Sequence, residues 1–227
     1  MADRPRTYLD RDTRRQKLLD LGMRLFANKS YEDVSIDDVA REANISKGLL
    51  YHYFGSKRAF YTEVVRFATA HLLELIHFDP AVSGPENVRR GLLTWFEFAS
   101  ARGEAVLAIM HGGGPSDEVC QILEEARHAF VMRIFEGLEL NDPHPIFRAL
   151  ARNWIGSVEA AARDWLEHRD VEPTVLVDLL LANLFAQLLI ATQLAPEVKV
   201  KLEVGAGLRL LGPLLARVLS AAQPASR

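Results

Sequence analysis

Apolar residues return at helical spacing from the start of the chain. Between Thr13 and Ser30, Leu18, Leu21, Leu25 and Phe26 fall on one face of a predicted helix. A second helix is predicted over Ile36–Ala43, burying Val39, Ala40 and Ala43. Ser35 is its N-cap, with Asp38 three residues on in capping-box spacing. Asn44-Ile45 makes a short turn, Ser46 caps a third helix and Ser56 caps a fourth. The fourth runs through Phe60, Val64, Phe67, His71, Leu72 and Leu75 to about Phe78. After the Pro80–Pro85 break the rhythm lengthens, with helices predicted over 86–101, 104–111, 117–139, 145–169, 173–194 and 197–219. No apolar/polar alternation of the strand type persists. The pattern predicts an all-α chain of four N-terminal helices followed by a larger helical body. Its longest apolar run, "VLVDLLLANLFAQLLIA", is interrupted by Asp178, Asn183 and Gln187, and reads as a buried or interface helix rather than a membrane span.

Composition adds bounds. A chain of 227 residues with 49% hydrophobic content can bury a sizeable core in one or two domains. Cys120 stands alone, so no intramolecular disulfide framework is available, and a reducing cytoplasm is the expected compartment. The first residues, "MADRPRTYLDRDTRR", are charged and hold no apolar signal core. The net charge of −3 hides an asymmetry. Residues 1–61 carry 12 Lys/Arg against 9 Asp/Glu, and residues 62–227 carry 15 against 21. A modestly basic module precedes an acidic body, and phosphate contacts depend on local rather than total charge.

The turn between the second and third helices has the length of a helix-turn-helix. In such a unit one face of the second helix is anchored and the other enters a major groove about 12 Å wide. On a helical wheel Leu50 and Phe54 fall together as anchors, while Lys47, Gly48 and Tyr51 face outward. Gly48 costs about 1 kcal/mol of helix propensity relative to alanine, and it lets the backbone approach DNA closely. Lys47 can donate to guanine O6 or N7, or to phosphate. Tyr51 and Tyr53 can donate hydroxyls to phosphate, Leu49 can meet a thymine methyl, and Lys57 opens a helix whose free N–H groups suit phosphate. Ser35 adds a donor near the backbone, and Ser46 and His52 complete the DNA-binding candidates. A packed bundle with solvated lysines and buried tyrosines would carry the same spacing.

The stretch "VSIDDVAREANISKGLLYHYFGSKRAFYTEVV" closely resembles the DNA-binding domain of the tetracycline-repressor-like (TetR) family of transcriptional regulators. The matching positions are Phe26, Ser35, Ile36, Val39, Ala40, Ala43, Ile45, Ser46, Gly48, Leu50, Tyr51, Phe54, Lys57 and Phe60, within about residues 12–62. The resemblance implies base and phosphate contacts from Lys47, Gly48 and Tyr51, phosphate anchors at Tyr53 and Lys57, and a phosphate-binding cap at Ser35. Tyr53 departs from the family's frequent histidine but still donates a hydrogen bond. Leu49 is apolar where many members are polar, which leaves its base preference open. The division expected is a helix-turn-helix DNA-binding domain over 1–62 and an effector-binding and dimerisation domain over 63–227. The implied partners are a palindromic double-stranded DNA operator, a second copy of the chain and a small apolar effector, with no membrane and no cofactor.

For the body, the last two helices offer a dimer interface through Leu179, Leu180, Leu184, Leu188 and Ala191 on one and Leu208, Leu211, Leu215 and Leu219 on the other. The middle helices would enclose an effector, with Trp95, Phe98, Met110, Cys120, Phe130, Trp154, Val158 and Trp165 as walls and His111, Asn153 and Gln187 as polar groups. Each alone is ordinary core material. The rival reading is an enzyme. Glu74-x-x-His77 and Glu125-x-x-His128, with Glu97 and Glu159, form the ligand inventory of a di-iron carboxylate bundle. "GGGPS" lacks the Gly-Lys-Ser/Thr of a phosphate-binding loop, and neither a nucleophile-elbow pattern nor Cys/His zinc spacing is present. The reading favoured is a ligand-responsive repressor rather than an enzyme.

Overall fold

The computed structural model describes residues 11–27, 29–103, 116–137, 144–197 and 212. Among the described residues there are eight helices and no strand: α1 (Arg11–Ala27), α2 (Ile36–Glu42), α3 (Lys47–Phe54), α4 (Lys57–Leu75), α5 (Gly84–Ala101), α6 (Asp117–Gly137), α7 (Pro145–His168) and α8 (Pro173–Leu194). The all-α expectation therefore holds. The helices predicted over 104–111 and 197–219 lie outside the described residues, apart from Glu197, which stands in a turn, and the helical Gly212. Two compact units are formed, one by Met1–His71 with Ala101–Glu124, the other by Leu72–Ser100 with Glu125–Arg227.

In the first unit the apolar face of α1 closes on α4. Leu18, Leu21 and Phe26 are buried there as the spacing predicts, and Leu25 is partly buried. An aromatic cluster fills the centre, with Phe26 edge-on to Tyr61 at 4.8 Å and Phe54 edge-on to Phe60 at 4.8 Å. Such pairs add about 0.5–1.5 kcal/mol each beyond the area they bury. The two helices approach closely at Gly22. A Cβ on it would lie 2.8 Å from Phe60 Cζ and closer still to Val64 Cγ2. Arg15 on α1 closes the rim by pairing with Glu63 at 2.6 Å. Val39 of α2, Leu50 of α3, and Val119 and Ile122 of α6 complete the core.

In the second unit α7 and α8 pack on each other. The Trp154 indole N–H, which burial would otherwise leave unpaired, donates to the Leu180 carbonyl at 2.8 Å. Phe96 of α5 meets Trp165 of α7 edge-on at 5.5 Å. The loop before α5 is stapled by buried Asn87. Its amide donates to the carbonyls of Asp79 at 2.8 Å and Val82 at 3.0 Å, and its Oδ1 accepts from the Asp79 N–H at 2.9 Å. α4 stops at Leu75, three residues short of the expected end. The Arg133 guanidinium of α6 donates to the carbonyls of Leu73 and Ile76 there, meeting acceptors that a helix end leaves open.

α8 is long and apolar enough to cross a membrane by length and composition. One of its faces is buried in this unit by Val177, Leu180, Leu181, Leu184, Phe185 and Leu188. Leu180, Leu184, Leu188 and Ala191, expected at a dimer surface, are thus core residues of the chain itself. Leu179, also expected there, lies on the outward face with Val175, Ile190 and Leu194, Leu179 being 61% and Ile190 59% exposed. Leu208, Leu211, Leu215 and Leu219 lie outside the described residues.

Candidate nucleic-acid interface

Three serine caps build the site. Ser35 Oγ accepts from the Asp38 N–H at 3.0 Å and donates to the Asp38 carboxylate at 2.6 Å, which fixes the first turn of α2. Ser46 Oγ accepts from the Leu49 N–H at 3.2 Å to start α3, and Ser56 Oγ accepts from the Ala59 N–H at 3.0 Å to start α4. Caps of this kind contribute about 1 kcal/mol each. Between α2 and α3 the chain reverses through Asn44, whose φ of 51° lies in the left-handed region that asparagine tolerates. Gly55, at φ 76°, makes the sharp exit from α3.

The third helix is two-faced, as its wheel predicts. Leu50 is 1% exposed and Phe54 is buried beside it. Lys47, Gly48, Tyr51 and His52 are exposed, and Leu49 and Tyr53 are half-buried. A Cβ on Gly48 would meet nothing within 4 Å, so no packing inside the chain requires glycine at this position. Tyr51 is 41% exposed, so its ring edge and hydroxyl are open to solvent on this face. His52 stands edge-on to Tyr53 at 6.1 Å.

Two cations flank this face. The Lys57 ammonium donates to the Glu32 carbonyl at 3.2 Å and sits 4.4 Å from the Tyr31 ring centre, so it ties α4 to the loop before α2. Lys47 Nζ lies 2.9 Å from Asp37 Oδ2 on α2. That hydrogen bond first, and the carboxylate's charge second, hold the Lys47 pKa above its ordinary value. Asp38 is pushed the other way, chiefly by the Ser35 hydroxyl and with help from Arg41. The Asp37–Lys47 pair was not legible in the sequence, because it exists only once the turn brings residues ten apart together.

The structure brings the DNA-binding candidates together on one short module; the effector candidates fall less neatly. Phe98, Trp154 and Val158 are buried in the second unit, and Trp95 and Phe130 are half-buried there. Trp95 stacks on Phe98 with centroids 6.4 Å apart, and its buried Nε1 has no hydrogen-bond partner. The Trp154 N–H is already satisfied within the chain. Asn153 is exposed and donates to Gln187 Oε1 at 3.2 Å, while Gln187 also reaches Asn183. Cys120 belongs to the first unit and is exposed. Met110 and His111 lie outside the described residues.

The di-iron inventory does not assemble. Glu74, His77, Glu97, Glu125 and His128 are exposed, and Glu159 is paired with Arg127 at 2.7 Å. Among the described residues no three metal-ligating side chains gather. Helical wheels of charged helices produce Glu-x-x-His spacing on solvated faces as readily as on inward ones.

A capped two-helix unit with a fixed inner face and an open polar outer face defines a helix-turn-helix protein. The comparisons with known proteins name the family. Residues 18–64 match the family described as "Bacterial regulatory proteins, tetR family", and residues 85–187 match "Tetracyclin repressor-like, C-terminal domain". The chain belongs to the TetR family of regulators, and it is a regulatory protein rather than an enzyme. Among curated relatives, the biofilm operon negative transcriptional regulator IcaR of Staphylococcus aureus is 34% identical over 62 residues, covering 27% of this chain. The chain spans about a third (33%) of that relative's length. A TetR-family regulator from Streptomyces coelicolor superimposes with a TM-score of 0.83 at 26% identity, covering 95% of this chain and 100% of that one. The regulator FadR from Bacillus subtilis, in complex with stearoyl-CoA, gives 0.62 at 13% identity over 74% of this chain and 96% of its own.

Proposed function

We propose that the chain is a ligand-responsive transcriptional repressor that binds a palindromic operator as a homodimer in the cytoplasm and leaves it when a small apolar effector binds. The observation that carries this reading is the outer face of α3. Lys47, Gly48 and Tyr51 are open while Leu50 and Phe54 hold the helix from behind. Ser35, Tyr53 and Lys57 would meet the phosphates, and Ser46, Leu49 and His52 would border the base edges. The working division is a DNA-binding domain over 1–62 and an effector and dimerisation domain over 63–227.

A single eight-residue helix reads few base pairs, so two copies are needed, set about 34–36 Å apart. The exposed stripe Val175, Leu179, Ile190 and Leu194 on α8 supports pairing with a second copy. The effector would lie among Trp95, Phe98, Phe130 and Val158, with the unpartnered Trp95 N–H offering a donor to an acceptor on it. The stearoyl-CoA of the Bacillus neighbour is that protein's ligand, and the likeness to it is one of fold alone. The apolar character of these four side chains supports an apolar effector here. Release would follow from linkage. DNA and effector favour different spacings of the two recognition helices, transmitted through α4, so each weakens the other by the same factor. A switch from mostly bound to mostly free needs about 5.5 kcal/mol of differential affinity.

The test is a mobility-shift titration of the full chain on duplex fragments from upstream of its own gene. Binding is expected, and Lys47→Ala and Tyr51→Ala should each weaken it while leaving the circular dichroism spectrum unchanged. Normal binding by both variants rejects the proposed reading face.

A further inference from the structure

The helices that would face the duplex are not basic. From Ile36 to Phe54 there are three carboxylates, Asp37, Asp38 and Glu42, against two fixed cations, Arg41 and Lys47. Both cations are already paired within the module. Arg41 meets Asp38, which is also held by Ser35, and Lys47 meets Asp37 across the turn at 2.9 Å. The second pair stands in solvent, with the Lys47 side chain 49% and the Asp37 side chain 67% exposed. Solvent-exposed pairs contribute little to folding, so the fold has small need of this one. It nevertheless occupies the single fixed cation of α3, on the face where Gly48 and Tyr51 stand open.

Non-specific affinity for a duplex comes almost entirely from counterion release, with about 0.9 of salt slope for each phosphate neutralised. An ammonium beside a carboxylate brings no net charge to a phosphate. If it leaves the carboxylate for a phosphate, Asp37 is left unpaired facing a polyanion. A base edge imposes no such choice. The ammonium has three donors, so it can keep Asp37 and still donate to a guanine O6 or N7. We infer that Asp37 is a specificity-determining residue: by holding Lys47 across the turn it withholds that cation from phosphates and directs it to base edges. This is discrimination by weakening the wrong complex rather than strengthening the right one. The inference rests on the DNA-binding reading above.

The experiment compares the full wild-type chain with Asp37→Asn by fluorescence anisotropy. Each is titrated with its operator and with a non-operator duplex of equal length across a salt series. Asparagine keeps the size and suits a helix start, so the thermal melt should be unchanged. The non-operator affinity is expected to rise about tenfold near 0.1 M salt, with a slope steeper by about one. The operator affinity should change less, so the ratio between the two falls. In a Lys47→Ala background the same change at Asp37 should leave the slope where it was. An unaltered ratio in Asp37→Asn, or an equal steepening without Lys47, overturns the inference while the DNA-binding reading stands. Absence of any operator preference in the wild type removes both.

Discussion

Gly48→Ala separates a reading surface from a packed surface. A Cβ at this position meets nothing within 4 Å of the rest of the chain, and Gly48 is not among the residues with positive φ. Adding a methyl group therefore creates no internal clash and no backbone strain. Glycine within a helix costs about 0.5–1 kcal/mol relative to alanine. The position is one residue inside α3, so the gain should fall at the lower end, roughly 0.5 kcal/mol. Against DNA the sign reverses. The methyl group holds the helix start away from the groove, and losing even one good base contact is worth about 1–3 kcal/mol, or about tenfold in affinity. The assay pairs a melt with anisotropy on one preparation. Tyr31, Tyr51, Tyr53 and Tyr61 lie in the first unit and all three tryptophans in the second, so a tyrosine-monitored melt follows chiefly the unit that carries α3. The expected outcome is a protein at least as stable that binds its operator about tenfold more weakly. Unchanged affinity would refute the close approach of α3 to a duplex, and a clear loss of stability would refute the local packing argument.

Gly22→Ala should behave oppositely: the new methyl group collides with Val64 and Phe60, overpacking costs about 1–3 kcal/mol, and Val64→Ala in the same chain should recover part of the loss on a denaturant titration. Lys57→Ala should weaken operator and non-operator binding alike and lower the salt slope by about one, read from a salt series; an unchanged slope would leave Lys57 only its tie to the Glu32 carbonyl. Ile190→Asp should shift sedimentation from dimer to monomer without loss of helix content, since this side chain is exposed in the single chain, whereas Leu184→Asp should unfold the second unit. Burial raises the Tyr61 pKa from 10.0 to about 12. The unfolded chain then releases this proton first, so the stability it represents is whole below pH 10 and is lost as pH rises through about 12, which an alkaline denaturation series read by phenolate absorbance checks.

The N-terminal module was legible because its determinants are local. Serines at 35, 46 and 56 cap within three residues, and the Leu50–Phe54 spacing fixes the inner face of α3 without reference to the rest of the chain. The helices of the body were legible as helices, but their orientation was not. α8 has leucine at both 179 and 180, so periodicity alone could not decide which neighbour faces in. In the fold Leu180 is the buried one, its carbonyl accepting from Trp154 of α7, and Leu179 is exposed. The carbonyls at the end of α4 are met by Arg133, roughly sixty residues away, and the Asp37–Lys47 pair forms only across a turn. Effector candidates were the least legible. Trp95 earns attention only from a buried N–H without a partner, a property of the folded unit rather than of the sequence around it.

The most direct measurement is a selection of duplexes from a fully randomised pool by the full chain, repeated with Tyr51→Ala. The expected result is enrichment of a two-fold-symmetric sequence with half-site centres about one helical turn apart, lost or altered with Tyr51→Ala. A pool that stays random at low salt, or the same sequence enriched equally by both proteins, would contradict the assignment of α3 as the helix that reads DNA.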